Sequence, residues 1–267
     1  MSFRYRGAPL AANVSILFTE HPYRERFAAA AAAGFGEVES WWPFGTPDPD
    51  PAEVDDLLSA IRHAGVRLVA LNFWAGDMPA GERGVATDPQ RSEELRRNLP
   101  ALRAIAQETG CARFNLLVGR LAPETDRDAQ IEHAVRTVAA AARELAGTGA
   151  VLLEPLSGLP EGAFPLITDL DVAAFRERVG EENVALLFDV YHLGANGVDV
   201  VAAAERSSGA VGHVQLADAP GRGAPGTGTL PIAEAVDILI GHGYTGPIGC
   251  EYVPGRPTAD TLGWVDR

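Results

Sequence analysis

Short apolar runs alternate with longer amphipathic or alanine-rich segments eight times along the chain, a pattern that predicts eight strand-helix units. The runs read as strands are NVSILF (13–18), GEVES (36–40), VRLVALNF (66–73), ARFNLLVG (112–119), AVLLE (150–154), the apolar start of ALLFDVYH (185–192), VGHVQLAD (211–218) and GPIGCEY (246–252). Helices are predicted after them: from Pro22 to the glycine at 34, from Pro51 to about Ala64, and near 90–109, 127–146, 169–179, 198–207 and 231–242. TADTLGWVDR is long enough for a short last one. Proline at a helix start and glycine past its end mark the first of these clearly. Several strand runs are continuously apolar rather than alternating, as parallel strands covered on both faces require. Eight such units predict closure into a single (β/α)8 TIM barrel spanning 1–267, with no linker or change in composition to divide it. The loop WAGDMPAGERGVATDP after the third strand is unusually long, which points to a function for it.

Four of the apolar runs stop at an oxygen-bearing side chain: Glu154, Asp189, Gln215 and Glu251. They lie 26 to 36 residues apart, close to one strand-helix repeat, so a barrel would bring them to its C-terminal face, where barrel enzymes carry their chemistry. A set of oxygen donors suits a divalent metal ion of the Mg or Mn kind better than zinc. His192, three residues beyond Asp189, is a candidate hydrogen-bond donor to a substrate oxygen. His213 shares a strand face with Gln215 and points to the barrel interior. His21, His63, His133 and His242 fall on or beside helices and read as surface residues.

Charge and composition then narrow the partners. A net charge of -14 argues against nucleic acid and against an anionic membrane, leaving a small molecule as the expected partner. The sequence leaves open a homo-oligomer. All 22 basic residues are arginine, so Schiff-base chemistry, a lysine-bound pyridoxal cofactor and a lysine-containing phosphate loop are excluded. Cys111 and Cys250 are too far apart for a zinc ribbon and read as buried apolar residues. Without a long apolar stretch or a signal-like N-terminal run, a soluble, cytoplasmic setting is expected.

Together AANVSILFTE, AGD with AGERG, LLEP, DVYH, GHVQLAD, PGR with PGTG, and GCEY resemble the hydroxypyruvate isomerase family of the xylose-isomerase-like barrels along nearly the whole chain. The resemblance implies a metal site at Glu154, Asp189, Gln215 and Glu251, with Glu154 and Glu251 also transferring protons. It implies interconversion of hydroxypyruvate and 2-hydroxy-3-oxopropanoate, or of related 2-oxo acids. Moving a carbonyl between adjacent carbons takes a proton from one carbon and returns one to its neighbour through an enediol, which two carboxylates can do. A 2-oxo acid also needs a cation for its carboxylate, and Arg83 in AGERG and Arg222 in PGRG are the loop candidates. Arg222 is preferred because it follows Gln215 by only seven residues. The loop from Ser157 to Phe164 departs from the family pattern, as do Phe73 and Trp74, so the chemistry is better supported than the substrate. An epimerase or dehydratase acting on a sugar or sugar acid, and a sugar-binding protein without turnover, are the competing expectations.

Overall fold

The computed structural model describes residues 2–160, 162–207 and 209–266. Glu161, within the divergent loop after Glu154, and Arg267, at the end of the predicted last helix, lie outside the described residues. A two-residue strand β1 (Arg4–Tyr5) runs antiparallel to the start of β2 (Ala8–Asn13). The chain then gives α1 (Arg26–Ala33), β3 (Glu37–Ser40), α2 (Pro51–Ala64), β4 (Arg67–Asn72), α3 (Ser92–Thr109), β5 (Arg113–Asn115), α4 (Arg127–Glu144) and β6 (Ala150–Leu153). It continues with α5 (Asp169–Val179), β7 (Val184–Asp189), α6 (Val190–Ala195), α7 (Val200–Arg206), β8 (Val211–Leu216), α8 (Ile232–Gly241) and β9 (Ile248–Cys250), and ends in a 3-10 turn at Thr258–Trp264.

Strands β2 to β9 pair in parallel in chain order, and β9 pairs back to β2 through Leu10 with Ile248 and Ala12 with Cys250. That last pairing closes the expected eight-stranded barrel and leaves no open edge. The helices start where local chemistry allows. Asp50 caps α2 in a reciprocal box with Glu53, with Pro51 at the first turn, and Thr168 and Asp171 do the same for α5. Each arrangement satisfies backbone N–H groups that the helix itself leaves unpaired.

Three differences from the sequence reading are physical. The first strand is Ala8–Asn13 rather than 13–18. Val14 and Leu17 are fully buried but lie in a turn: the N–H of Val14 makes a last bond to the carbonyl of Glu39 on β3, and the N–H of Leu17 bonds the carbonyl of Asn13, so the apolarity of Leu17 reflects packing without strand pairing. Ala11 and Ala12, which look like weak strand formers, are fully buried between neighbours in the barrel wall. The apolar run at 112–119 is strand only at Arg113–Asn115, and Leu116 to Val118 are buried in irregular chain. A six-residue helix, α6, begins directly after Asp189, whose Oδ1 accepts the backbone N–H of His192 at 2.9 Å.

The long loop after β4 is tied down by its own side chains. Trp74 Nε1 donates to Glu94 at 2.7 Å, Arg91 bridges Glu82 and Glu94, and Gly84 pairs with Val118 across an isolated bridge. Gly84 holds φ at 101°, and a Cβ there would collide with the carbonyl oxygen of Leu117. Gly84→Ala is therefore expected to destabilise the protein by about 1–3 kcal/mol, seen as a fall of several degrees in the thermal midpoint. An unchanged midpoint would show that the loop reshapes freely around this position.

Candidate active site

Because the eight barrel strands are parallel, their C-terminal ends converge on one face, and each delivers a buried polar side chain there. These are Asn13, Ser40, Asn72, Asn115, Glu154, Asp189, Gln215 and Glu251. The four expected from the sequence form one half of this ring. The other four follow the same rule, but Asn and Ser at the end of an apolar run read as turn residues and carry no distinct signal.

Glu154, Asp189 and Glu251 meet, and His192 joins them from α6: each offers a ligand atom, all within 4.8 Å of one another. Asn115 Nδ2 donates to Glu154 Oε2 at 2.6 Å, and His192 Nε2 lies 3.6 Å from Glu154 Oε1. Asn13 Nδ2 and Trp41 Nε1 donate to Glu251 Oε1 at 2.9 and 2.5 Å, while Arg222 Nη2 donates to Oε2. Gln215 stands beside Asp189 in the β7–β8 register. Its Nε2 donates to Glu39 at 2.7 Å, and its Oε1 is buried with no hydrogen-bond partner among the described residues. The backbone N–H of Ser157 donates to His192 Nδ1 at 2.9 Å, so a neutral imidazole carries its proton on Nε2, on the side of Glu154.

Burial dominates the electrostatics. It raises Glu154 well above the usual carboxylate range, with the charges of Glu251 and Asp189 adding to the rise. Burial lifts Glu251 to about 7 against the opposing pull of Arg222, and Asp189 to about 6 with Arg222 again opposing. His192 is lowered to about 3, first by burial and then by Arg222 and Arg83, so it is neutral at ordinary pH. Three carboxylates and a neutral imidazole thus crowd together at the strand ends, and Gln215, with its unpartnered amide oxygen, stands beside Asp189 in the sheet. That donor set is compatible with a divalent metal ion, whose charge would relieve both the repulsion and the orphaned acceptor.

The cluster opens into a cavity of about 850 Å³. Trp41, Trp42, Phe44 and Trp74 form its apolar wall, and Arg83, Arg120 and Arg222 supply its positive charge. The two arginines singled out in the sequence differ in state. Arg222 is engaged by Glu251 and lies 5.3 Å from the Tyr191 ring centre, whereas Arg83 Nη1 bonds only the carbonyls of Met78 and Glu82. Neither Arg83 nor Arg120 has a carboxylate partner among the described residues. Sequence reasoning passed over Glu39, Trp41, Ser157 and Arg120. A glutamate inside a short strand, as Glu39 is, was the one detectable signal among them, because a buried carboxylate demands partners.

The Xylose isomerase-like TIM barrel family profile matches residues 27–267. A putative hydroxypyruvate isomerase of Streptomyces coelicolor is 43% identical over 95% of this chain and 94% of its own length. The 2-oxo-tetronate isomerase of Cupriavidus necator is 33% identical, with 96% of each chain covered. A solved structure titled AP endonuclease, family 2, from Brucella melitensis superposes with a TM-score of 0.86 at 34% identity, again covering 96% of each chain. With the closed barrel and the strand-end cluster, these likenesses establish that the chain belongs to the xylose isomerase-like TIM barrel family.

Proposed function

We propose that the protein is an isomerase of small 2-oxo and hydroxy acids, interconverting hydroxypyruvate and 2-hydroxy-3-oxopropanoate or a close relative through an enediol. The observation that carries this reading is the pair Glu154 and Glu251, two buried carboxylates in one cluster facing a cavity that also presents arginine. The names of the relatives, hydroxypyruvate isomerase and 2-oxo-tetronate isomerase, support this class of acid. A nuclease reading fits poorly, since among the described residues His192 is the only histidine in the cluster and a zinc cluster of that kind would demand more.

Glu154, Asp189, Glu251 and Gln215 Oε1 would hold a divalent cation, and the all-oxygen set favours Mg or Mn. Bound there, it would supply Lewis-acid polarisation of the substrate carbonyl. The protein side chains do the rest. One glutamate takes the proton from C3 of hydroxypyruvate, the electron pair forms the C2–C3 double bond and the C2 carbonyl pair moves onto its oxygen, the hydroxyl proton on the C3 oxygen passes to the C2 oxygen, and the other glutamate returns a proton to C2 as the C3 carbonyl forms. The two environments are unequal, which is what an acid and base pair needs. Burial and the charges of Glu251 and Asp189 raise Glu154 with Asn115 the first group opposing them, whereas at Glu251 the first group opposing burial is the Arg222 guanidinium. His192 offers Nε2–H to a substrate oxygen and cannot take up a competing charge. The tryptophans give the cavity an apolar wall beside the carboxylates.

The contact between Arg222 and Glu251 supports a different holder for the substrate carboxylate from the Arg222 preferred on sequence grounds. Its guanidinium is occupied by Glu251, so the substrate carboxylate is assigned to Arg83, with Arg120 beside it, and Arg222 to tuning Glu251. Arg83→Leu is expected to raise KM for acid substrates about tenfold or more while leaving KM for neutral ketoses unchanged. Arg222→Lys should act mainly on kcat. The opposite split would return the carboxylate to Arg222.

Glu154→Gln and Glu251→Gln should each lower turnover about 100-fold or more, the usual scale for losing a positioned acid or base. Incorporation of deuterium from D2O into substrate, followed by NMR, should fall in parallel. Full exchange in either variant removes that residue from proton transfer.

Stability should depend on pH in a way that reports the cluster. Asp189, Glu251 and Glu154 have folded pKa values above their unfolded values, so the folded state holds protons that the unfolded chain has released. Their contribution is therefore lost as pH rises toward and through the folded values. His192 acts oppositely, but only below its unfolded pKa of about 6.5. Between about pH 6.5 and about pH 8, then, the chelator-treated protein should lose thermal stability, and Mn²⁺ or Mg²⁺ should restore it. A flat profile insensitive to either ion would argue that no cation shares the cluster.

A further inference from the structure

Of the four side chains assigned to the cation, Gln215 alone has ends of opposite chemistry. Oε1 accepts hydrogen bonds and can bind a cation, whereas Nε2 only donates and cannot. A half-turn about the terminal torsion exchanges the two, and that torsion has no strong preference of its own. The surroundings must decide which end faces the cluster. Glu39, on β3 and 1% exposed, is the group in contact with the amide: its Oε1 accepts from Gln215 Nε2 at 2.7 Å. The same oxygen accepts from Asn13 Nδ2 at 3.0 Å, and Glu39 Oε2 lies 2.5 Å from His213 Nε2. Asn13 Nδ2 also reaches Glu251 Oε1 at 2.9 Å, so the same carboxylate is tied to both sides of the cluster. Its place is reserved by Gly249, where a Cβ would collide with the Glu39 carboxylate.

We propose that Glu39 is a positioning residue that fixes the Gln215 amide with Oε1, rather than Nε2, presented to a divalent cation. The inference rests on the cation reading given under the proposed function and adds a residue outside the ligand set. Two observations carry it independently of each other. Gln215 Oε1 is buried without a partner among the described residues, a costly arrangement in the absence of a ligand. Glu39 Oε1 meanwhile accepts from both Gln215 Nε2 and Asn13 Nδ2, so the amide-facing side of this carboxylate acts as an acceptor, while its Oε2 lies against His213 Nε2. An amide at this position would turn its NH2 toward His213 or toward Gln215 and Asn13. In the second case the Gln215 amide gains by rotating, which presents Nε2 to the cation.

Mn²⁺ binding measured by calorimetry on the metal-free protein provides the test. Glu39→Gln is expected to weaken Mn²⁺ affinity about 10- to 100-fold, the scale for losing a group that orients a metal ligand. Saturating Mn²⁺ should recover kcat with KM for hydroxypyruvate unchanged, which a loss of packing alone would not allow. The double substitution Glu39→Gln/Gln215→Glu exchanges donor and acceptor, gives position 215 no wrong end, and should bring affinity back toward the wild-type value. Equal Mn²⁺ affinity in the wild-type and Glu39→Gln proteins overturns the proposal. If the variants do not fold, a crystal structure of the wild-type protein with Mn²⁺ decides: Gln215 Oε1 on the ion with Nε2 still on Glu39 is expected, and an amide released from Glu39 overturns it. Absence of any Mn²⁺ binding by the wild-type protein would instead remove the cation reading itself, and this proposal with it.

Discussion

Three carboxylates cannot share a dry volume as three free negative charges. Glu154, Asp189 and Glu251 are nevertheless held together at the end of the barrel, each almost fully buried. The arrangement persists because each is given something to offset the cost of desolvation: an amide from Asn115, a backbone N–H at the start of α6, and Arg222 with Trp41 and Asn13. What the protein does not supply is a full counter-charge. The remaining imbalance appears as raised carboxylate pKa values, and it is the physical basis on which a cation and a proton-transferring pair are proposed.

Barrel closure makes that crowding enforceable. The β2–β9 pairing locks the strand ends at fixed separation, so Glu251, from the last strand, is brought to Asn13, from the first barrel strand. Between them β3 contributes Glu39, which spans to β8 through Gln215 and His213. Hydrogen bonds across the barrel therefore join residues more than 170 positions apart, and a closed sheet is the architecture that lets them form without mobile linkers. The loops divide the remaining work. Those after β3 and β4 bring the aromatic wall and Arg83, and the loop after β8 brings Arg222 back onto Glu251.

Much of this was legible in the order of residues. Apolar runs of strand length separated by helix-length segments state a parallel α/β barrel, since both signals are local and are repeated eight times. Glu154, Asp189, Gln215 and Glu251 were legible for the same reason: a polar side chain that ends a buried strand lies on the face where such strands converge. The first strand ends earlier than its apolar run suggests because Leu17 is as apolar as a strand residue but is buried by a turn, and burial alone does not reveal hydrogen-bond pairing. The short helix α6 escaped notice because its start is set by the Asp189 cap and not by a periodic face of its own.

By itself, then, the sequence determined the fold class, the face on which the polar strand ends gather and the acidic character of that cluster, all of which follow from periodicity and residue type. Only the tertiary structure decided the state of each group. It placed His192 within reach of Glu154, engaged Arg222 with Glu251 while leaving Arg83 and Arg120 without acid partners among the described residues, and set Glu39 against Gln215. The physical reason is that charge state, tautomer and amide orientation are decided by neighbours a few ångströms away in space. Those neighbours come from strands far apart in the chain, and no local pattern records them.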